Sequence, residues 1–201
     1  MQKTKYLKIL NFLHQAEQLK NELRHSKTSA GRKESVAEHS WRTALMVLLF
    51  SPYLKKKINI EKALSLAIIH DLGEAVIGDE HYLKIAKNPL REKNRKLQER
   101  KAIKCLTNKL GTTATQIKDL WNDYEKLTSY EAKFVHVIDK LEAWIQHNEA
   151  KMSTWTKKEI KDIFNYSNRI MNLDIFINNF KKCLLDETIK KFRKHNIKPE
   201  I

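Results

Sequence analysis

The sequence predicts an all-α fold, and three observations support this prediction. The chain has 201 residues, of which 41% are hydrophobic, but only 4 glycines and 3 prolines, so tight turns should be few. Apolar residues recur at intervals of three and four along most of the chain, which places them on one face of a helix. Several of these stretches directly follow a serine or asparagine, the residues preferred at helix N-caps.

The first helix is predicted over about residues 6–23, where leucines recur at helical spacing. The polar segment 24–34, "RHSKTSAGRKE", should end it. A second helix should begin directly after Ser35, because Ser35 and Glu38 have the spacing of a capping box. In that motif the serine oxygen accepts from the third amide of the helix, and the glutamate reaches back to the serine N–H. Pro52 should end this helix.

A third helix should start after Asn59 as its N-cap and end near Gly73. Ser129 has the same capping position before a longer amphipathic segment. No internal repeat or linker is visible, so one domain over residues 1–201 is predicted. The remaining helices are predicted over about 91–110, 114–127, 130–150, 157–171 and 175–194.

The charge and targeting signals limit the classes of partner. Lys and Arg number 39 against 24 Asp and Glu, a net charge of +15, which attracts phosphate groups of any kind. The lysines are scattered without the interleaved aromatic residues of an RNA-binding surface, so a solvated surface is favoured over a nucleic-acid groove. The N-terminus lacks the apolar segment of a signal peptide, and no apolar run approaches the ~20 residues that span a membrane. We therefore expect a cytoplasmic protein with no membrane partner.

The chain has two cysteines, Cys105 and Cys183, and each lies within an amphipathic segment. They form no CxxC pair, which argues against a zinc ribbon or a disulfide framework. We expect reduced thiols that are buried or half-buried.

Four residues are candidate metal ligands, namely His39, His70, Asp71 and Asp139. Each lies on or beside a helix face that should point inward, where an ionised carboxylate is costly unless a cation or hydrogen bonds compensate it. Nitrogen and oxygen donors together suit Mn, Co, Ni, Fe, Mg or Zn and do not choose among these ions. Successive side chains on a helix diverge by about 100°. His70 and Asp71 can therefore share one ion most easily where the helix ends, which is where Gly73 places them.

Three segments around these residues resemble the motifs of HD-domain metal-dependent phosphohydrolases, and specifically the 5'-deoxynucleotidase group. The segments read "SVAEHSWRTALM", "IIHDLGEAVIGD" and "FVHVIDKLEAW". The order H…HD…D matches that family, and the A-E-H-S, H-D-x-x-E and G-D elements extend the match. The resemblance covers residues 24 to about 142. It implies a single HD-domain helical bundle with the metal site between central helices and the C-terminal helices, 157–194, packed on this core.

The resemblance implies a phosphoric monoester hydrolase that removes the 5'-phosphate from (deoxy)nucleoside monophosphates by metal-activated attack of water. It makes the four candidate residues the ligands of a divalent ion. It places Glu74 and Asp79 at the substrate as candidates for proton transfer, without deciding which is acid and which is base. Arg24 stands where the group has an arginine that orients the substrate phosphate. In some relatives carboxylates like Glu74, Asp79 and Glu80 hold a second ion, which would make the catalytic candidates ligands.

Two features depart from the pattern of that group. His25 follows Arg24 where the group often has an aromatic residue that helps to select deoxyribose, so His25 is a candidate substrate-binding residue. The segment after G-D reads "GDEHYLKIAK" instead of continuing with a Leu-Pro turn. Both departures concern substrate selection, so they leave the predicted hydrolysis intact and the sugar and base preferences open.

Other functions stay open at this stage. HD enzymes also hydrolyse triphosphates, cyclic nucleotides or guanosine tetraphosphate, and versions with two metals use extra histidines. His81 and His136 are available for that role, although a loop and a helix flank also explain them. The chain could instead be a non-catalytic phosphate or nucleic-acid binder, but such a protein would not need Glu74, Asp79 and Arg24. The family and the apolar C-terminal helix suggest a homodimer, unless that apolar face closes the core.

Overall fold

Helices make up most of this computed structural model, which describes residues 2–80 and 88–197. Two short strands, β1 (Leu23–Lys27) and β2 (Lys33–Ser35), pair in an antiparallel hairpin. The predicted all-α class is confirmed, whereas the hairpin and the short helix Glu74–Ile77 were not predicted. The helices are α1 (Gln2–Ala16), α2 (Val36–Phe50), α3 (Ile60–Ile69), α4 (Glu74–Ile77), α5 (Pro89–Thr107), α6 (Thr112–Lys126), α7 (Tyr130–Glu149), α8 (Lys157–Arg169) and α9 (Ile175–Lys194).

The predicted helix starts follow from their N-caps. The Ser35 hydroxyl accepts from the Glu38 amide and the Glu38 carboxylate accepts from the Ser35 N–H, which completes the capping box before α2. The side chains of Asn59 and Ser129 accept from the third amides of α3 and α7. Each cap satisfies a backbone donor that the helix itself leaves without a partner.

The segment that was expected only to interrupt the first helix forms the hairpin. Helix α1 ends at Ala16, earlier than predicted, because a 3-10 turn at Glu17–Lys20 and then β1 follow it. Gly31 in the hairpin turn has φ 90°, a conformation that favours glycine. Strand β1 packs on α7, and the Gln146 side chain donates to the Lys27 carbonyl across this contact at 2.7 Å. The hairpin therefore places Leu23–Lys27 against the central helix α7.

Helices α2, α3 and α7 contact one another and form the centre of the core. Val47, Leu66 and Ile138, one from each helix, are completely buried there. Helix α9 packs on α7 and contributes Ile177 and Phe192 to the same core. The apolar face of α9 thus closes the core of this chain, so it gives no argument for a second copy.

The cysteines correct one expectation. Cys105 and Cys183 are free, as predicted, but both are exposed rather than buried. They lie beside the buried faces of α5 and α9, which turn Ile103 and Leu184 inward instead. Within the described ranges, every helix is too short or too polar to cross a membrane.

Candidate active site

Three helices bring the four candidate metal ligands together. His39 lies on the buried face of α2, His70 follows the last residue of α3, Asp71 comes next in the turn before α4, and Asp139 lies in α7. His39 Nε2 is 3.1 Å from Asp139 Oδ1 and 3.7 Å from Asp71 Oδ2. The Nε2 atoms of His39 and His70 are 3.4 Å apart, and His70 Nε2 is 3.2 Å from Asp71 Oδ2. Residues 31 to 100 positions apart therefore meet at one point.

The adjacent pair converges because α3 ends at Ile69. The chain then turns through His70 and Asp71 before α4 begins, so the two side chains no longer have to diverge around a helix axis. Gly73, near which the helix was predicted to end, keeps a right-handed conformation with φ −61°. Gly73 lies close to α5, and a Cβ atom added at Gly73 would be in van der Waals contact with Glu99 at 3.6 Å.

The donor chemistry of this set fits a divalent cation. His39 Nδ1 contacts a carboxylate oxygen of Glu142, and His70 Nδ1 is 2.8 Å from the Ala67 carbonyl oxygen. These oxygens accept, so each ring directs an Nδ1–H at its partner, and a cation that takes the place of any Nε2 proton meets the Nε2 lone pair of each ring. Two such lone pairs and the carboxylates of Asp71 and Asp139 face one point. A divalent ion bound by imidazole and carboxylate stabilises that arrangement.

The charges in the cluster lead to the same conclusion. Burial and the Arg24 charge lower the pKa of His39, but the carboxylates of Glu142 and Asp139 outweigh them and raise the pKa to about 9. Burial raises the pKa of Asp71, but the neighbouring imidazoles of His70 and His39 outweigh burial and keep the pKa below its ordinary value. The cluster therefore holds ionised carboxylates that attract positive charge, whether a proton or a metal ion.

Two further residues, Glu142 and Arg42, hold His39 in place and were not predicted from the sequence. Glu142 is completely buried and accepts from His39 Nδ1. Arg42 Nε donates to the other oxygen of Glu142 at 2.6 Å, and its terminal nitrogens donate to Gln146 and Glu149. Arg42 follows His39 by three positions, and Glu142 follows Asp139 by three, which places each pair on one helix face. That spacing was the signal available in the sequence.

Asp139 also has two partners that were not predicted. The Tyr124 hydroxyl, on α6, donates to Asp139 Oδ2 at 2.9 Å. The Lys140 ammonium donates to the same oxygen at 3.0 Å. Burial raises the pKa of Asp139, but Lys140 and His39 outweigh it and hold the pKa well below its usual range. Asp139 Oδ1 stays directed at His39 because the other oxygen is occupied.

A cavity of about 240 Å³ lies beside the ligand set. Arg24 contributes a guanidinium group to its wall, with a side chain that is only 16% exposed. Its nitrogens lie 3.8 Å from Asp71 Oδ2 and 3.6 Å from Glu34 Oε2. Burial opposes the charge of Arg24, but Asp71 and other carboxylates raise its pKa, so the group stays positive. The other predicted ligand and substrate residues that line this cavity are His25, Asp71, Glu74, Asp79, Glu80 and Asp139.

The acidic residues of this cavity have separate environments. Burial and the nearby Asp71 and Asp79 charges raise the pKa of Glu74 well above its ordinary value, although Arg95 donates to Glu74 Oε1 at 2.7 Å. Burial also raises the pKa of Asp79. Glu80 forms an ion pair with Arg91. Glu74 and Glu80 are thus each paired with an arginine, and a second ion at Glu74, Asp79 and Glu80 stays a prediction.

Of the two histidines considered for a binuclear site, only His136 belongs to the described residues, and it shares a cavity wall with His70, Asp71 and Asp139. His136 lines a neighbouring cavity, also of about 240 Å³, and its ring centre is 5.9 Å from that of Tyr124. Burial and the Lys140 charge lower the pKa of His136 to about 4. His81 falls outside the described residues.

Comparison with known proteins gives three further findings. The sequence model of the HD domain family matches residues 16–174. A 5'-deoxynucleotidase of Saccharomyces cerevisiae is 31% identical over 163 residues, which is 78% of this chain and 66% of that protein. A 5'-deoxynucleotidase of Xenopus laevis is 31% identical over 135 residues, 67% of this chain and 64% of that protein. The chain thus spans just under two thirds of the length of these relatives.

The fold has a close counterpart among solved structures. The crystal structure of a predicted metal-dependent phosphohydrolase from Magnetospirillum magnetotacticum superimposes with a TM-score of 0.78. The superposition covers 94% of this chain and 97% of the Magnetospirillum chain. The two sequences are 24% identical, so this similarity supports the fold alone.

Proposed function

The chain belongs to the HD domain family, and we propose that it is a metal-dependent phosphohydrolase that removes the 5'-phosphate from (deoxy)nucleoside monophosphates. One observation carries this proposal, namely that two histidines and two aspartates from three helices meet beside a cavity that also contains a buried arginine. This combination can bind both a divalent ion and a phosphate group. The 5'-deoxynucleotidases at 31% identity support the same reaction class.

The proposed ligands of the ion are His39, His70, Asp71 and Asp139. Mn, Co, Ni, Fe, Mg and Zn all accept this mixture of donors, and the donor set does not select one of them. When bound, such an ion polarises a phosphoryl oxygen and lowers the pKa of water. Glu142 and Tyr124 direct two of the ligands and so fix the geometry in advance.

Arg24 is proposed to bind the phosphate. Its guanidinium group can donate two parallel hydrogen bonds to phosphoryl oxygens, and its charge is held between Glu34 and Asp71. Lys140 adds a second positive group to the same cavity wall. The Asp139 carboxylate raises the pKa of Lys140 and outweighs the opposing effect of burial. Together these cations place the phosphate next to the proposed metal ligands.

Glu74 is proposed as the general acid. Its raised pKa keeps a proton on the carboxyl group at a higher pH than an ordinary glutamate would allow. Arg95 holds Glu74 Oε1, so the other oxygen can donate that proton to the leaving oxygen of the nucleoside. Asp79 and His25 line the same cavity and are proposed to contact the substrate.

The test is a panel assay of phosphate release. Deoxynucleoside and ribonucleoside monophosphates, triphosphates and cyclic nucleotides are compared with each of the six metals. We expect turnover of the monophosphates, and its loss with EDTA, with Asp71→Ala and with His39→Ala. Asp186→Ala is the matched control, because it removes an exposed carboxylate of α9 far from these ligands in the sequence.

Different failures have different meanings. Full metal content and turnover in His39→Ala would contradict the ligand set. Cleavage restricted to triphosphates or cyclic nucleotides would contradict the substrate class but leave the family chemistry intact. Salt-sensitive binding of DNA or RNA without turnover of any nucleotide would contradict the enzyme proposal.

A further inference from the structure

Three residues outside the proposed ligand set also come together at the wall of the substrate cavity, namely His25, His147 and Glu159. We propose that they form a second metal site, which takes a transition ion such as Zn²⁺, Co²⁺ or Ni²⁺. His25 comes from β1, His147 from α7 and Glu159 from α8. This proposal concerns ion binding and does not depend on the proposed reaction.

The distances permit coordination of one ion. His25 Nε2 is 2.6 Å from Glu159 Oε1, and the ring centres of His25 and His147 are 4.9 Å apart. One ligand atom from each residue lies within 4.8 Å of the others, as in the cluster of His39, His70 and Asp71. Tetrahedral zinc with bonds of about 2.0–2.2 Å places its ligand atoms roughly 3.4 Å apart. The known separations, 2.6 Å and at most 4.8 Å, lie within about 1.4 Å of that spacing, a shift that side-chain rotation can supply.

Two of the ligands are already oriented. Glu159 is the third residue of α8, and its Oε2 accepts from the amide and hydroxyl of Thr156 in a capping box. This leaves Oε1 directed at His25. The His147 ring packs edge-on against Trp155 at 5.3 Å, and Trp155 Nε1 donates to the His147 carbonyl at 2.8 Å. Partners that fix the orientation of a ligand are typical of metal sites.

The residue types select the class of ion. Two imidazoles favour borderline transition metals, whereas Mg²⁺ and Ca²⁺ prefer oxygen ligands alone. The Glu159 side chain is only 5% exposed, and a bound cation would compensate its charge. Three protein ligands leave the fourth position of a tetrahedral ion for an external group. Because the cluster lines the cavity, that position would be available to a phosphate oxygen or a nitrogen of the substrate base.

Metal binding at this cluster must release a proton. A hydrogen bond between His25 Nε2 and Glu159 needs one hydrogen, and the ion would take its place. The affinity for the ion should therefore fall as the pH is lowered. The wild-type pair keeps its hydrogen bond under those conditions, so the fold should not change.

The test counts ions bound per chain, using Zn²⁺ alone in equilibrium dialysis followed by elemental analysis. Wild type should bind two ions, Asp71→Ala one, and each of His147→Gln and Glu159→Gln one. Glu159→Gln keeps a capping box, because glutamine can replace glutamate in that motif, and so separates loss of the ligand from loss of the fold. His14→Gln, which removes an exposed histidine of α1, is the matched control and should bind two. Thermal melts of all variants check folding.

Several results would overturn the proposal. A wild-type stoichiometry of one that falls to zero in Asp71→Ala would mean that only the first cluster binds, and the proposed function would be unaffected. Two ions in both folded variants, His147→Gln and Glu159→Gln, would place the second ion elsewhere. A loss of one ion in His14→Gln would assign the second ion to a surface histidine. By contrast, failure of the proposed function would appear as absent phosphate release while both ions are bound.

Discussion

Replacing Glu142 with glutamine should weaken metal binding by about 10- to 100-fold. This is the usual loss when a side chain that hydrogen-bonds to a metal-ligating residue is removed. Glu142 is completely buried between two donors, His39 Nδ1 and Arg42 Nε. Glutamine has almost the same size, but its amide nitrogen cannot accept a hydrogen bond, so one of the two donors loses its acceptor. Hydrogen bonds to charged groups contribute about 1.5–3 kcal/mol, and each 1.4 kcal/mol is about tenfold in affinity.

The measurement is a titration of the purified, metal-free variant with Mn²⁺ or Co²⁺ by calorimetry. Glu149→Gln is the matched control, because Glu149 lies on the same helix and binds the same Arg42 but is exposed and does not touch His39. We expect its dissociation constant to stay within about twofold of wild type, as for a surface ion pair. A urea unfolding curve for each variant corrects for any loss of folded protein.

Two outcomes would refute this reasoning. An unchanged dissociation constant in Glu142→Gln would mean that Glu142 does not position His39 for metal binding. An equal loss in Glu149→Gln would mean that Arg42, or the net charge of α7, controls the affinity instead of the contact with His39.

Three other predictions follow from different parts of the structure. Thr188→Val should lower the free energy of unfolding by about 1–3 kcal/mol in urea titrations, because the buried Trp144 Nε1 would lose its acceptor; no change would show that this bond does not help to hold α9 on α7. Burial lowers the pKa of His136 to about 4, so the unfolded chain binds a proton between about pH 6.5 and 4 that the native chain does not. Stability should therefore fall as the pH drops through that range. The melting temperature of His136→Gln should depend less steeply on pH than that of wild type. An equally steep pH dependence in the variant would contradict the lowered pKa of His136. If Glu74 is the general acid, activity should be lost as the pH rises through the raised pKa of Glu74. Glu74→Gln should lower kcat by about 10²- to 10⁴-fold and remove this loss of activity at alkaline pH. A variant with the wild-type rate and the wild-type pH profile would exclude Glu74 as the acid.

The sequence predicted those features that depend on neighbouring residues. The capping box of Ser35 and Glu38 and the caps of α3 and α7 are local, and each helix begins where its cap predicts. The hairpin was missed because the pairing of Leu23 with Ser35 gives no periodic signal in so short a segment. The end of α1 was wrong for the same reason, since the leucine spacing continues through residues that the hairpin draws away from the helix.

The proposed ligands and their supporting residues differ in the same way. His70 and Asp71 were accessible because they are adjacent at a helix end. Tyr124 was not accessible, because its contact with Asp139 depends on how α6 packs against α7. His147 and Glu159 lie on different helices and His25 lies on strand β1, so no motif joins the three residues. Packing alone brings such residues together.

The distribution of charge explains how a strongly basic chain can favour a cation at its centre. The net charge of +15 belongs to the whole chain, whereas His39 is surrounded by the carboxylates of Asp71, Asp139 and Glu142 within 4 Å. Arg24 contacts Asp71, Lys140 contacts Asp139, and both cations line the cavity. A bound divalent ion would neutralise the carboxylates that now attract both cations, which would leave Arg24 and Lys140 more available to a phosphate. Metal and phosphate should therefore strengthen each other's binding, and by linkage the effect must be equal in both directions.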